Sequence, residues 1–108
     1  MILRWWRGAV RHADAQRYLE HQATTGVAEY RATPGNQGAL VLTRDTGPLL
    51  EVVTVSLWDG LDAVRAFAGD PIEQARFYPG DDDLLAEKDL QASHYTVVSA
   101  DLPPRLAP

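Results

Sequence analysis

Residues Ile2 to Arg7 are β-prone and aromatic and are followed by Gly8, which predicts a first strand carrying a tryptophan on each face. From Ala13 to Tyr30 the period lengthens. Positions Ala15, Tyr18, Leu19, Gln22 or Ala23, Val27 and Tyr30 fit a helix, and Thr24-Thr25-Gly26 should divide it in two. The stretch 32–38 (ATPGNQG) is a turn, because Pro, Gly and Asn supply the fixed or positive φ that turns need. Two strands follow, Ala39 to Arg44 and Leu49 to Trp58, joined by the Gly-containing link Asp45-Thr46-Gly47-Pro48. Leu61, Val64, Phe67 and Ala68 then recur at helical spacing, with Asp59 as N-cap and Gly69 as the stop. Asp70, Pro71 and Glu73 read as the capped start of a further short helix to about Phe77. Tyr78 to Lys88 reads as an acidic loop with at most one helical turn, and Gln91 to Ala100 as a last strand.

The resulting order, strand-helix-strand-strand-helix-strand, is an α+β, ferredoxin-like βαββαβ arrangement: a four-stranded antiparallel sheet with helices on one face. One domain should occupy residues 1–100, with a Pro-rich tail over 101–108. Helices cover only one face of such a sheet, yet Trp5-Trp6, Val52-Val53 and Leu57-Trp58 are adjacent apolar pairs whose members point to opposite faces. Each tryptophan represents roughly 150–250 Å² of buriable surface. A second copy of the chain against the open face, a homodimer, is the simplest cover; helices and tail wrapping the edges would be the alternative.

Composition narrows the partners. Ten Lys plus Arg against fifteen Asp plus Glu give a net charge of −5, which repels phosphate backbones and anionic lipid, so neither nucleic acid nor membrane is expected as a partner. Cysteine is absent, which removes thiolate chemistry and suits a cytoplasmic location. The start, MILRWWRG, has two arginines within its apolar stretch and reads as a strand rather than a signal peptide.

Residues 52–78 (VVTVSLWDGLDAVRAFAGDPIEQARFY) resemble the antibiotic biosynthesis monooxygenase domain family: a strand ending in Ser-x-Trp, an acidic turn, and an amphipathic helix from Leu61. HYTVV at His94 to Val98 and RWWRG at the front extend the likeness. The resemblance implies a dimeric α+β barrel with a pocket between each subunit's sheet and helices. It further implies oxygenation of small phenolic or quinol-type aromatics with no metal or flavin cofactor, so that the substrate itself reduces O₂. A haem-degrading branch uses an Asn on the first strand with a Trp and a His on the second helix. This chain has Phe67 and Phe77 at about the latter two positions and no Asn on the first strand, a departure from that branch.

Among candidate site residues, His94 is the natural base, because an imidazole titrates near neutrality; a His satisfied by one partner is the structural alternative. Trp6, Trp58, Phe67 and Phe77 would wall an aromatic pocket or fill the core. Arg4 could hold a phenolate or enolate by charge-assisted hydrogen bonds, or pair with an acid at a strand edge. Tyr78 could present its hydroxyl to the pocket or anchor the Pro79-Gly80 turn. Asp81-Asp82-Asp83 lacks the spacing of a calcium loop and reads as a solvated patch, so no metal is assigned. His12 and His21 are nine apart and read as surface residues. Two functions follow: a cofactor-independent monooxygenase of small aromatic or quinol-type compounds, or a non-catalytic dimeric module that binds a small ligand. Arg4, Tyr78 and His94 converging on one cavity would favour the first.

Overall fold

A computed structural model describes residues 1–103; residues 104–108, most of the expected tail, lie outside the described part. The elements are β1 (Ile2–Val10), α1 (Ala15–Thr24), α2 (Gly26–Ala32), β2 (Asn36–Asp45), β3 (Leu50–Trp58), α3 (Leu61–Ala68), a single turn α4 (Asp81–Leu84), β4 (Leu85–Lys88) and β5 (Ser93–Thr96). The sheet is antiparallel throughout. Its order is β2-β3-β1, with β4 against the end of β1 and β5 against its start. The fold is therefore the expected ferredoxin-like α+β arrangement, with the fourth strand position shared by two short strands.

Register assigns the two faces. Ile2, Arg4, Trp6, Gly8 and Val10 stand opposite Trp58, Ser56, Thr54, Val52 and Leu50, and this set faces the helices. Two buried clusters grow from it. Trp58, Tyr30, Val64 and Phe67 form one and Val10, Val52, Tyr18, Leu84 and Leu85 the other. The alternate residues, Leu3, Trp5, Val53, Val55 and Leu57 with Leu40 and Leu42 of β2, form the opposite face. Among the described residues no helix covers it, and Leu40, Leu42 and Tyr95 are about half exposed at 44%, 46% and 57%.

Three expectations about local structure need correction. The helix expected from Pro71 to Phe77 does not form. Arg4 donates to the carbonyls of Ile72 (2.6 Å) and Gln74 (2.9 Å). The Ala75 amide donates to Leu90, and Glu73 accepts from Ala92. Backbone groups that a helix would pair internally are thus taken by residues distant in sequence, and the segment runs alongside 90–92. Leu85 to Lys88, expected as loop, pairs with Gly8–Val10, and the last strand is correspondingly confined to Ser93–Thr96. Asp59 does not cap α3: its carboxylate accepts from the Gln37 side chain at 2.6 Å, and Gly60 takes the cap position. The break at Thr24–Gly26 and the stop at Gly69, whose amide bonds the Arg65 carbonyl at φ +79°, are as expected.

Candidate functional site

Between the sheet and the helices lies a cavity of about 40 Å³, room for about three water molecules. β1 contributes Arg4 and Trp6, and β3 contributes Thr54. Tyr18 and Gln22 come from α1, Tyr30 from α2 and Phe67 from α3. The segment after α3 closes the cavity with Arg76, Phe77, Tyr78 and Asp81.

Each wall has a local cause. Trp6 lies back over Gly8: a Cβ there would stand 2.6 Å from the indole, so only glycine lets the ring lie along the strand. The indole N–H donates to the Asp89 carbonyl at 2.8 Å and the ring meets Phe77 edge-on at 6.3 Å. Phe67 packs against Tyr30 at 4.8 Å and Trp58 at 5.4 Å, while the guanidinium groups of Arg4 and Arg76 lie 5.7 and 5.4 Å from its centre.

Arg4 is the dominant charge. Only 3% exposed, it makes its hydrogen bonds to two carbonyls and to His94 Nε2 at 2.9 Å, and forms no ion pair among the described residues. Burial lowers its pKa, a tendency opposed by the fields of Tyr30, Glu73 and Tyr78. A guanidinium stays charged at any ordinary pH, so this is a buried cation with no carboxylate bonded to it. Arg76 is balanced instead: it pairs with Glu29 at 2.5 Å and donates to the Phe67 carbonyl.

The tyrosines carry no charge here. Burial raises the pKa of Tyr18, assisted by Asp81, and raises that of Tyr78, assisted by Glu29, so both are neutral phenols. Two buried polar atoms on the cavity have no hydrogen-bond partner among the described residues, Gln22 Oε1 and the Tyr78 hydroxyl. Such atoms cost about 1–3 kcal/mol each unless a ligand or water completes them. Asp81 is also buried. His21 Nε2 sits 2.7 Å from its Oδ1, and the Tyr78 amide donates to its Oδ2 at 2.8 Å.

Of the residues expected at the site, Arg4, Trp6, Phe67, Phe77 and Tyr78 line this one cavity. Trp58 is fully buried behind Phe67 and donates to Ser56 Oγ at 2.9 Å, outside the lining. His94 lies opposite Arg4 on β5, in contact with its guanidinium, and does not line the cavity. Its pKa is lowered by burial first and then by the Arg4 charge, so it is a neutral ring accepting through Nε2. Neither the surface reading of His21 nor the solvated reading of Asp81 survives, since they bond each other across 60 residues of sequence. Tyr18, Gln22, Tyr30, Arg76 and Asp81 went unrecognised as site residues; the one available signal was that Tyr18 and Gln22 share a helix face at i, i+4.

No protein-family model and no curated protein matches the sequence. Solved structures do match in three dimensions. A Bacillus cereus protein provisionally assigned as an antibiotic biosynthesis monooxygenase superposes with a TM-score of 0.66 at 16% identity, over 94% of this chain and 97% of that one. A protein of the same provisional assignment from Nitrosomonas europaea gives 0.66 at 14%, over 92% and 100%. A variant of SnoaB, a cofactor-independent oxygenase from Streptomyces nogalater, gives 0.59 at 22%, over 92% and 94%. Likeness at these identities is likeness of fold, and in fold this chain is similar to proteins assigned as antibiotic biosynthesis monooxygenases.

Proposed function

We propose that the cavity binds a small phenolic or quinol-type aromatic as its anion and that the protein, as a cofactor-independent monooxygenase, promotes the reaction of that anion with O₂. The observation that carries this reading is Arg4, a buried cation on an aromatic-walled cavity with no carboxylate bonded to it. A phenolate oxygen would supply the missing charge, and the neighbouring aromatic rings would hold the ligand's face. An electron-rich anion can pass an electron to O₂ directly, and Arg4 would stabilise the negative charge that forms. In the overall balance one oxygen atom enters the product, the other leaves as water, and the substrate supplies all four electrons.

In this reading His94 keeps Arg4 aimed, through the 2.9 Å contact. The pair of unpartnered groups, Gln22 Oε1 and the Tyr78 hydroxyl, would meet a second polar substituent of the ligand. A ring is larger than the 40 Å³ present, so binding requires the cavity wall to yield. A second copy, packed on the open face of Leu3, Trp5, Leu40 and Leu42, would complete a homodimer and hold the sheet while that wall moves.

The small cavity favours a second reading, a non-catalytic dimeric module of the same fold. Oxygen uptake separates the two. Metal-free protein is run against hydroquinones and polyphenols, each with its autoxidation control. Uptake that scales with protein and falls in Arg4→Met supports the oxygenase; no uptake above control across the panel supports the module.

A further inference from the structure

Resting on the phenolic reading of the cavity, we infer that Asp81, held by His21, is the group that takes the proton from the ligand's hydroxyl. Around the cavity the charged and titratable groups are Arg4 from β1, Tyr18 from α1, Tyr30 from α2, and Arg76, Tyr78 and Asp81 from the closing segment. The arginines carry no available lone pair, Tyr18 and Tyr78 are held in their neutral form, and the Tyr30 hydroxyl is turned to Thr54 Oγ1. Gln22 offers an amide that does not accept a proton near neutrality. His94 has its Nε2 engaged by Arg4 and does not line the cavity. Asp81 is the lining carboxylate. Its two oxygens offer about four acceptor directions, of which His21 and the Tyr78 amide use two.

In the step, the ligand's O–H bond breaks, the proton goes to Asp81, and the oxygen keeps the electron pair and becomes the phenolate facing Arg4. A carboxyl and a phenol differ by about 6 pKa units in water. The Arg4 cation narrows that gap by favouring the phenolate. His21 positions Asp81: its Nε2, 2.7 Å from Oδ1, fixes the carboxylate, and its ring packs on Gly80, whose Cβ position lies 3.3 Å from it.

The probe is 4-nitrophenol, whose phenolate is yellow and whose nitro group brings it closer to a carboxyl in acidity. It is bound to the full chain at a pH well below its own pKa, and calorimetry in two buffers of different ionisation enthalpy counts the protons released. The expected result is a phenolate absorbance band with no net proton release, since the proton stays on the protein. Asp81→Asn should lose the band, His21→Leu should weaken it, and His21→Gln, which can still donate to the carboxylate, should restore it. A wild-type complex without the band overturns the inference, as does a band accompanied by release of one proton or a band unchanged in Asp81→Asn. The wild-type proton count stands even where a variant does not fold. Absence of any binding would instead overturn the phenolic reading itself.

Discussion

Replacing Phe67 with alanine strikes the core and the cavity wall together. The ring touches Tyr30 and Trp58 on one side and receives the Arg4 and Arg76 guanidinium groups on the other. Truncating a buried phenylalanine costs about 3–5 kcal/mol. Here the aromatic and cation contacts, each worth about 0.5–1.5 kcal/mol, place the expected loss at the upper end, near 4–5 kcal/mol. A protein of this size has a total of about 5–15 kcal/mol, so the variant should sit close to unfolding at room temperature. Urea denaturation followed by tryptophan fluorescence, at fixed protein concentration, measures this directly. The midpoint should fall with the slope unchanged. The space opened is continuous with the cavity, so phenol at about a hundred times its dissociation constant should return about 2.7 kcal/mol. A loss below about 1.5 kcal/mol, or no rescue by phenol, would show that Phe67 does not join core and cavity.

Three further outcomes follow from the same geometry. The His94 ring is harder to protonate folded than unfolded, so its stabilising contribution is full above the unfolded value of about 6.5 and is lost as pH falls below it toward the depressed folded value. Urea midpoints should therefore drop between about pH 7.5 and 5.5, and Arg4→Met should flatten that drop; a midpoint with the opposite slope in this window refutes the assignment. Tyr78→Phe removes an unpartnered buried hydroxyl and should leave the free protein as stable or up to about 1 kcal/mol more stable while weakening 4-nitrophenol binding; a destabilised protein with unchanged binding argues against an unfilled hydroxyl. Light scattering should give twice the 11.9 kDa chain mass for the wild type, and Trp5→Asp should halve it, whereas equal masses would place the tryptophan outside any interface.

Much of the fold was legible because its determinants are local. The β2–β3 hairpin is written in a short Gly-containing link and two β-prone runs, and the α1–α2 break in Thr24-Thr25-Gly26. The segment 70–77 misled because its capping pattern is real in sequence, but Arg4, 68 residues away, takes the Ile72 carbonyl. Strand β4 was hidden for a similar reason: a four-residue strand in an acidic surround exists through its pairing with β1. The aromatic half of the site was legible from size and spacing. Its polar half was not, since Gln22 and Asp81 look like surface residues until distant elements close over them.

The two edges of the sheet differ in how readily each could pair with another strand. One edge consists of two four-residue strands separated where the chain leaves the sheet at 89–92, too short and interrupted to template another strand. The other is β2, ten residues long, almost wholly exposed, and apolar through Ala39-Leu40-Val41-Leu42. Arg44 and Asp45 guard only its end. Strand addition therefore has one entrance, and Val41→Lys would place a charge in the middle of it, at a residue outside the cavity lining.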